Sequence, residues 1–122
     1  MSKDCIFCNE VRGNAIMENA MAYVVYDKFP QTKGHVLIIP KRHSENFFET
    51  MLPEQLAMYK LVHQAKEYLD EKYAPEGYNI LLNCGKVAGQ IVMHTHLHLI
   101  PRYADDGVGN HFTNKKQFKE GQ

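Results

Sequence analysis

The stretch "HTHLHLIPRY", residues 94–103, places His94, His96 and His98 at every second position. Successive side chains of a β-strand point to opposite faces of the sheet, so this spacing predicts a strand that carries all three imidazoles on one face. The outer two imidazoles would lie roughly 13 Å apart, too far for one zinc ion to bind all three through bonds of about 2.1 Å. The stretch therefore predicts a strand with a chemically active face and excludes a zinc centre made of these three histidines alone.

The remaining chain predicts an α+β fold. Alternating or β-rich runs at residues 21–29, 35–40, 77–83 and 94–101 predict four strands, paired antiparallel, with a short extra strand near Ile16. Residues 53–73 predict one amphipathic helix that opens with Pro53 at its first position and buries a stripe of apolar side chains, Met58, Val62, Ala65 and Leu69. The expected architecture is an antiparallel sheet of about five strands, with the long helix on one face and the other face free for chemistry.

Composition limits the class of protein. The chain has 122 residues, 44% hydrophobic and 23% charged, which fits one domain, and its fourteen Lys plus Arg balance fourteen Asp plus Glu. A neutral chain has no global field that attracts nucleic acid or an anionic membrane, and no apolar run reaches the length of about 18 residues expected of a membrane span. Three cysteines argue against a disulfide framework. We expect a cytoplasmic protein with a single domain over residues 1–103 and a polar, flexible tail over 104–122.

Two longer segments extend the pattern. "GQIVMHTHLHLIPR" resembles the signature of the histidine triad (HIT) family of nucleotide hydrolases and transferases. The upstream segment "YDKFPQTKGHVLIIPKRH" and the opening "CIFC" resemble further family segments, in the same order and spacing. The resemblance implies a HIT-like fold, a purine nucleotide substrate, no organic cofactor, a homodimer, and attack by the middle histidine, His96, on the α-phosphate to form a nucleotidyl-histidine.

The resemblance also implies roles for other residues. His98 and His35 match the phosphate-contacting histidines, which would stabilise charge that develops during transfer. Asp27 matches the position that holds the ribose hydroxyls, for which a carboxylate is a suitable acceptor. Further matched positions are the base-pocket residues Ile6, Phe7 and Val25 and the amides near the phosphates, Asn83 and Gln90. Ile91 departs from relatives that carry a hydroxyl residue directly after the Gly-Gln pair, so a side-chain hydrogen bond from that position is not available.

A second set of residues predicts a metal site. Cys5 and Cys8 are spaced as Cys-x-x-Cys, and together with His43 and His94 they supply the two thiolates and two imidazoles of a closed tetrahedral zinc site. Several HIT relatives use these four positions for zinc. A thioredoxin-like redox pair would need a strand before Cys5, for which four residues leave no room. We expect structural zinc that pins the N-terminal segment beside the nucleophile.

The leaving group is less constrained. Four cations lie in or beside the matched segments and could contact a polyphosphate, Lys33, Lys41, Lys86 and Arg102. The chain has no Trp, and its segment after the triad differs from that of the phosphoramidase branch. These features favour a dinucleoside polyphosphate over a nucleoside phosphoramidate.

Other functions stay open. His35, His96 and His98 could share a catalytic metal, in which case a chelator would abolish activity at once. A nucleotide-binding module without turnover would form no adduct at His96. A nucleic-acid-binding zinc finger is disfavoured by the neutral charge and by the absence of a His-x3-His helix from the sequence.

Overall fold

The computed structural model describes residues 5–109 and places five strands and one long helix among them. The strands are β1 (Met17–Glu18), β2 (Ala22–Tyr26), β3 (Val36–Pro40), β4 (Gly77–Leu82) and β5 (Leu97–Arg102), and the helix α1 is Leu52–Tyr73. They form one antiparallel sheet in the order β1-β2-β3-β5-β4, and β2 pairs with β3 along its whole length. The predicted α+β class, the short extra strand and the single long helix are confirmed.

Successive side chains of each strand point to opposite faces of the sheet and pack into two separate clusters. Val24, Ile38 and Leu99 point toward α1 and join its buried side chains in the main core. Tyr23, Leu37 and their neighbours point the other way and pack against the N-terminal residues Cys5, Phe7 and Cys8. The second face is therefore partly covered by the N-terminal segment rather than left free, and this cover brings Cys5 and Cys8 near the histidines.

Helix α1 begins one residue before the predicted start, so Pro53 is its second residue and not its first. Its buried residues are Glu54, Met58, Leu61, Ala65 and Leu69. Met58, Ala65 and Leu69 are buried as predicted, whereas Leu61 is fully buried in place of Val62, which is half-buried and packs against the edge of the same core. The helix ends where Ala74 adopts the left-handed conformation. Within residues 5–109 no helix has both the length and the apolar character needed to span a membrane.

The predicted start of the last strand at His94 is wrong. β5 begins at Leu97, which pairs with Ile38 of β3. The ladder stops there because Pro40 has no backbone N–H to donate, and the Pro40 carbonyl oxygen is bonded by the His94 side chain at 2.8 Å. Thr95 bonds instead to the carbonyl oxygen of Ser44, in the loop after β3. His94 and His96 therefore lie on an irregular segment ahead of the strand.

Residues 104–109 are attached to the sheet. Arg102 donates to Asp106 from Nε at 2.7 Å, and Asp106 also accepts the backbone N–H groups of Tyr103 and Val108. These bonds lower the pKa of Asp106, the Arg102 contact most of all. The first residues of the predicted tail are thus anchored here, and residues 110–122 lie outside the described part of the chain.

Candidate active site and metal centre

Four side chains converge where the N-terminal segment meets the irregular segment before β5. The Cys5 Sγ lies 3.2 Å from the His94 Nδ1, and the Cys8 Sγ lies 3.4 Å from the Nδ1 atoms of both His43 and His94. The Nδ1 atoms of His43 and His94 are 3.2 Å apart. Ligands around a tetrahedral zinc ion, with bonds of about 2.0–2.3 Å, are separated by about 3.3–3.8 Å. The four atoms therefore have the spacing that a zinc ion requires, and we call them the metal cluster.

The chemistry of this cluster also suits a cation. The pKa of the Cys8 thiol is raised, most of all by burial and next by its hydrogen bond with Cys5. Two thiolates at this place therefore need a positive charge to compensate them. The far nitrogen of His94, Nε2, faces the carbonyl oxygen of Pro40 and must carry a proton, which leaves the Nδ1 lone pair directed into the cluster. The residues present thus fit a structural zinc ion.

His96 is held in one tautomer. Its Nδ1 lies 2.8 Å from the His94 backbone carbonyl oxygen, which can only accept, so Nδ1 carries the proton and Nε2 carries the lone pair. The ring is buried between the rings of Phe7 and His98, with centroid distances of 5.1 and 5.0 Å. Burial lowers the pKa of His96 and so favours the neutral imidazole. This is the state of histidine that can act as a nucleophile.

Three further side chains form a second group, the histidine–aspartate cluster. The His35 Nε2 lies 3.0 Å from the His98 Nδ1 and 3.3 Å from the Asp27 Oδ2. The His35 Nδ1 accepts the backbone N–H of Gln31 at 3.0 Å, so its proton is on Nε2. Burial lowers the pKa of His35. The pKa of His98 is lowered to about 4, first by burial and then by the neighbouring His96 and His35 rings. Both imidazoles are neutral at pH 7, and His98 carries its proton on Nε2.

The predicted base-pocket residues do not share one environment. Phe7 and Val25 are buried in the same apolar cluster on the second face of the sheet. Ile6 is exposed and lines a cavity of about 420 Å³ together with Cys5, His43, Glu45, Ile91, Val92 and Met93. Contact of these residues with a base stays a prediction.

The two predicted amides lie in the loop between β4 and β5. The Asn83 Nδ2 donates to the carbonyl oxygen of Gly89 at 3.3 Å. Gln90 is buried, donates to the backbone oxygens of Glu45 and Val92, and accepts the Gly85 N–H at 2.7 Å. The Gln90 side chain thus ties two loops together, and a phosphate contact from either amide stays a prediction.

The cations differ in availability. Lys41 forms an ion pair with Glu18 at 2.7 Å, and Arg102 is bonded to Asp106 and Asn79. Lys33 and Lys86 are exposed, and neither takes part in an ion pair within residues 5–109. Ile91, which stands where some relatives carry a hydroxyl residue, is also exposed.

Backbone groups are what the sequence analysis missed. The carbonyl oxygens of Pro40 and His94 and the N–H of Gln31 decide which nitrogen of each histidine carries the proton. No side-chain pattern marks these groups, because every non-proline residue carries the same N–H and C=O. The bidentate contact between Arg42 and the buried Glu54, at 2.8 Å for both bonds, was also not anticipated.

Comparison with known proteins agrees with this geometry. The HIT domain profile matches residues 9–105, so the chain belongs to the HIT family. An uncharacterized HIT-like protein of Mycoplasma genitalium is 37% identical over 98% of this chain and 89% of its own length. An adenosine 5'-monophosphoramidase of Candida albicans is 39% identical over 86% of this chain and 74% of its own. The crystal structure of a zinc-bound histidine triad family protein from Mycobacterium smegmatis superposes with a TM-score of 0.79 at 32% identity, covering 87% of this chain and 80% of that one.

Proposed function

We propose that this protein hydrolyses nucleotides at the α-phosphate through a nucleotidyl-histidine intermediate on His96. The observation that carries the proposal is the 2.8 Å bond from the His96 Nδ1 to the His94 carbonyl oxygen, which directs the lone pair of Nε2 outward from the backbone. The relative from Candida albicans, named as an adenosine 5'-monophosphoramidase, supports a nucleotide as the substrate.

In the first step the Nε2 lone pair forms a bond to phosphorus, and the leaving group departs with the electron pair of its own bond to phosphorus, a polyphosphate as its anion and an amine with a proton taken up from solvent. The phosphorylated ring is cationic, and the His94 carbonyl oxygen stabilises its Nδ1–H. In the second step water forms a P–O bond, loses a proton to solvent and returns the electron pair of the P–N bond to Nε2. The product is the nucleoside monophosphate.

The histidine–aspartate cluster would bind the charge that develops on the phosphate. His98 adjoins His96 and presents a neutral Nε2–H, which can donate to a phosphate oxygen, and His35 supports it from behind. Asp27 would accept from the ribose hydroxyls, with Phe7, Val25 and Ile6 against the purine. Asn83 and Gln90 would act near the phosphates, Gln90 through the loop that it holds.

The metal cluster is proposed to bind structural zinc. A bound ion would link the N-terminal segment, through Cys5 and Cys8, to the loop of His43 and to His94. His94 would then hold the carbonyl oxygen that orients His96. No organic cofactor enters this proposal.

A homodimer is also proposed. Leu52, Leu56 and Tyr59 are exposed at 66%, 52% and 61% and recur along one side of α1, and β4 is an edge strand of the described sheet. Exposed apolar stripes of this kind mark protein interfaces. Sedimentation should give a dimer mass for the natural chain and a monomer for Leu56→Asp, with Val87→Asp, at an exposed site in the β4–β5 loop, as the dimeric control.

Two leaving groups remain to be distinguished. The preference for a dinucleoside polyphosphate now depends on Lys33 and Lys86, because Lys41 and Arg102 are engaged elsewhere. That engagement favours a nucleoside phosphoramidate as the second candidate. The test compares kcat/KM for diadenosine tetraphosphate and adenosine phosphoramidate at fixed ionic strength. A preference for the phosphoramidate above about tenfold, equivalent to roughly 1.4 kcal/mol, would reject the polyphosphate.

The intermediate itself provides the direct test. Protein mixed with adenosine phosphoramidate or diadenosine tetraphosphate and quenched early in turnover should gain the mass of one adenylyl group, which peptide mapping should place on His96. Turnover with the adduct on another residue would contradict the proposal. Nucleotide binding with neither adduct nor turnover would instead identify a binding module.

A further inference from the structure

The loop at residues 30–34 lies directly behind the histidine–aspartate cluster. Its Gln31 N–H donates to the His35 Nδ1 at 3.0 Å. An amide N–H can only donate, so this nitrogen of His35 must accept, and the proton of the neutral ring must be on Nε2. His35 is 2% exposed, so water cannot replace the amide as the partner of the buried nitrogen.

The constraint passes from His35 to the next ring. The His35 Nε2–H lies 3.0 Å from the His98 Nδ1 and 3.3 Å from the Asp27 Oδ2. A proton on the His98 Nδ1 would face the His35 Nε2–H at this short distance, so the His98 Nδ1 is unprotonated and His98 carries its own proton on Nε2. One backbone amide in this way determines the tautomers of two imidazoles in series. His98 thus has a proton donor at its Nε2. The centroid of the His98 ring lies 5.0 Å from the centroid of the His96 ring.

The loop is held in place by side chains outside the cluster. Thr32 is buried and its hydroxyl donates to the carbonyl oxygen of Pro101 in β5. The Thr32 carbonyl oxygen accepts the His35 N–H at 3.3 Å, and the Tyr103 hydroxyl donates to the carbonyl oxygen of Lys33 at 2.6 Å. Thr32 is thus bonded to β5 through its hydroxyl group and to His35 through its carbonyl oxygen.

We propose that Thr32 is a positioning residue that keeps the Gln31 N–H on His35 and thereby keeps His98 as an Nε2–H donor toward the transferred phosphate. The Thr32 bonds go to Pro101 and to the His35 backbone, so Thr32 would act through the loop. The kinetic part of this inference rests on the proposed function, whereas the tautomers can be measured without any substrate.

The main test compares Thr32→Val, which keeps the shape and removes the hydroxyl, with Thr32→Ser, which keeps the hydroxyl. Long-range proton–nitrogen NMR reports the tautomers of His35 and His98. We expect Nε2–H for both rings in the natural chain and in Thr32→Ser, and a mixture of tautomers in Thr32→Val. With substrate, kcat should fall about 10- to 100-fold in Thr32→Val, with a smaller change in KM, because the donor acts mainly in the transition state.

A second pair keeps the inference testable if Thr32→Val does not fold. Gln31→Pro removes the donating N–H itself, whereas Gln31→Ala keeps it, so only the proline variant should show mixed tautomers. Folded Thr32→Val or Gln31→Pro protein with both rings still in the Nε2–H form would overturn the inference, as would a Thr32→Ser variant as impaired as Thr32→Val. Failure of the proposed function would appear differently, as normal tautomers with no adduct on His96.

Discussion

The metal cluster and the histidine–aspartate cluster each bring two histidines together with other candidate metal ligands, two cysteines in the first and an aspartate in the second. In each, the candidate ligand atoms all lie within 4.8 Å of one another. They differ in the backbone group that meets the far side of the central histidine. His94 meets the carbonyl oxygen of Pro40, so its lone pair points into the cluster, whereas His35 meets the N–H of Gln31, so its proton points into the cluster.

This difference assigns different chemistry to the two places. A metal ion requires a lone pair from each ligand, which the His94 Nδ1 supplies and the His35 Nε2 does not. The proposed phosphate site requires donors, which the chain of bonds from Gln31 through His35 to His98 would provide. Proximity of histidines and acids is thus insufficient to identify a metal site, and the partner of the second ring nitrogen decides.

The largest effect should come from His96, which belongs to neither cluster but adjoins both. His96→Ala removes the proposed nucleophile and should lower kcat by about 10³-fold or more, while nucleotide binding should persist because the proposed ribose and phosphate contacts lie elsewhere. Single-turnover kinetics and calorimetric titration with AMP would measure the two properties. If the alanine variant kept a tenth of the natural rate, the nucleophile would have to be another residue.

The next test compares the metal content of the two clusters. The purified protein should carry about one zinc ion per chain, lost in Cys8→Ser together with a fall in Tm, because structural zinc contributes folding energy. Asp27→Asn alters the other cluster and should keep the zinc. Two zinc ions per chain, or loss of zinc in Asp27→Asn, would show that the tautomer argument fails.

Gly34 tests the backbone that supports the histidine–aspartate cluster. Its φ is +89°, and an added Cβ would lie 2.9 Å from a Tyr73 ring carbon and 3.2 Å from Pro101. Gly34→Ala should therefore lower the free energy of unfolding by about 2–3 kcal/mol, as measured by urea denaturation. Gly77→Ala is the control, since its Cβ would meet nothing within 4 Å. Equal losses in the two variants would exclude a specific constraint at Gly34.

The smallest expected effect concerns the loop that carries His43. Arg42 bonds to Glu54, which is 1% exposed, and this contact first of all lowers the pKa of Glu54. Arg42→Met leaves a buried carboxylate without its charged partner and should therefore lower the free energy of unfolding at pH 7. Because Arg42 itself is half-exposed, we expect a loss of only about 1–3 kcal/mol.

The pH dependence of that effect has a defined sign. A carboxyl group with a lowered folded-state pKa stabilises the natural chain above its unfolded pKa of about 4.5, and this stability is lost as the pH falls through the folded pKa. In Arg42→Met the unpaired carboxyl can protonate instead. The difference between the two proteins, measured by thermal unfolding, should thus shrink below about pH 4.5. A difference that stays constant from pH 7 to pH 3 would contradict an electrostatic origin.

The sequence by itself determined the parts of this protein that depend on periodicity and residue type. The alternating or β-rich runs at residues 21–29 and 35–40 predicted β2 and β3, the helical stripe predicted α1 to within one residue, and the segments around His96 predicted the HIT family. These properties are local, because a side chain's face is set by its place in the strand or helix.

Only the tertiary structure decided where β5 begins and which ring nitrogen of each histidine carries the proton. The strand starts at Leu97 because Pro40, more than fifty residues earlier in the chain, ends its partner. Likewise, His35, His94 and His96 are the same type of residue. The backbone group that each ring meets determines which of its nitrogens carries the proton. A backbone N–H or carbonyl oxygen occurs at nearly every residue, so the sequence does not indicate which one folding will place against an imidazole.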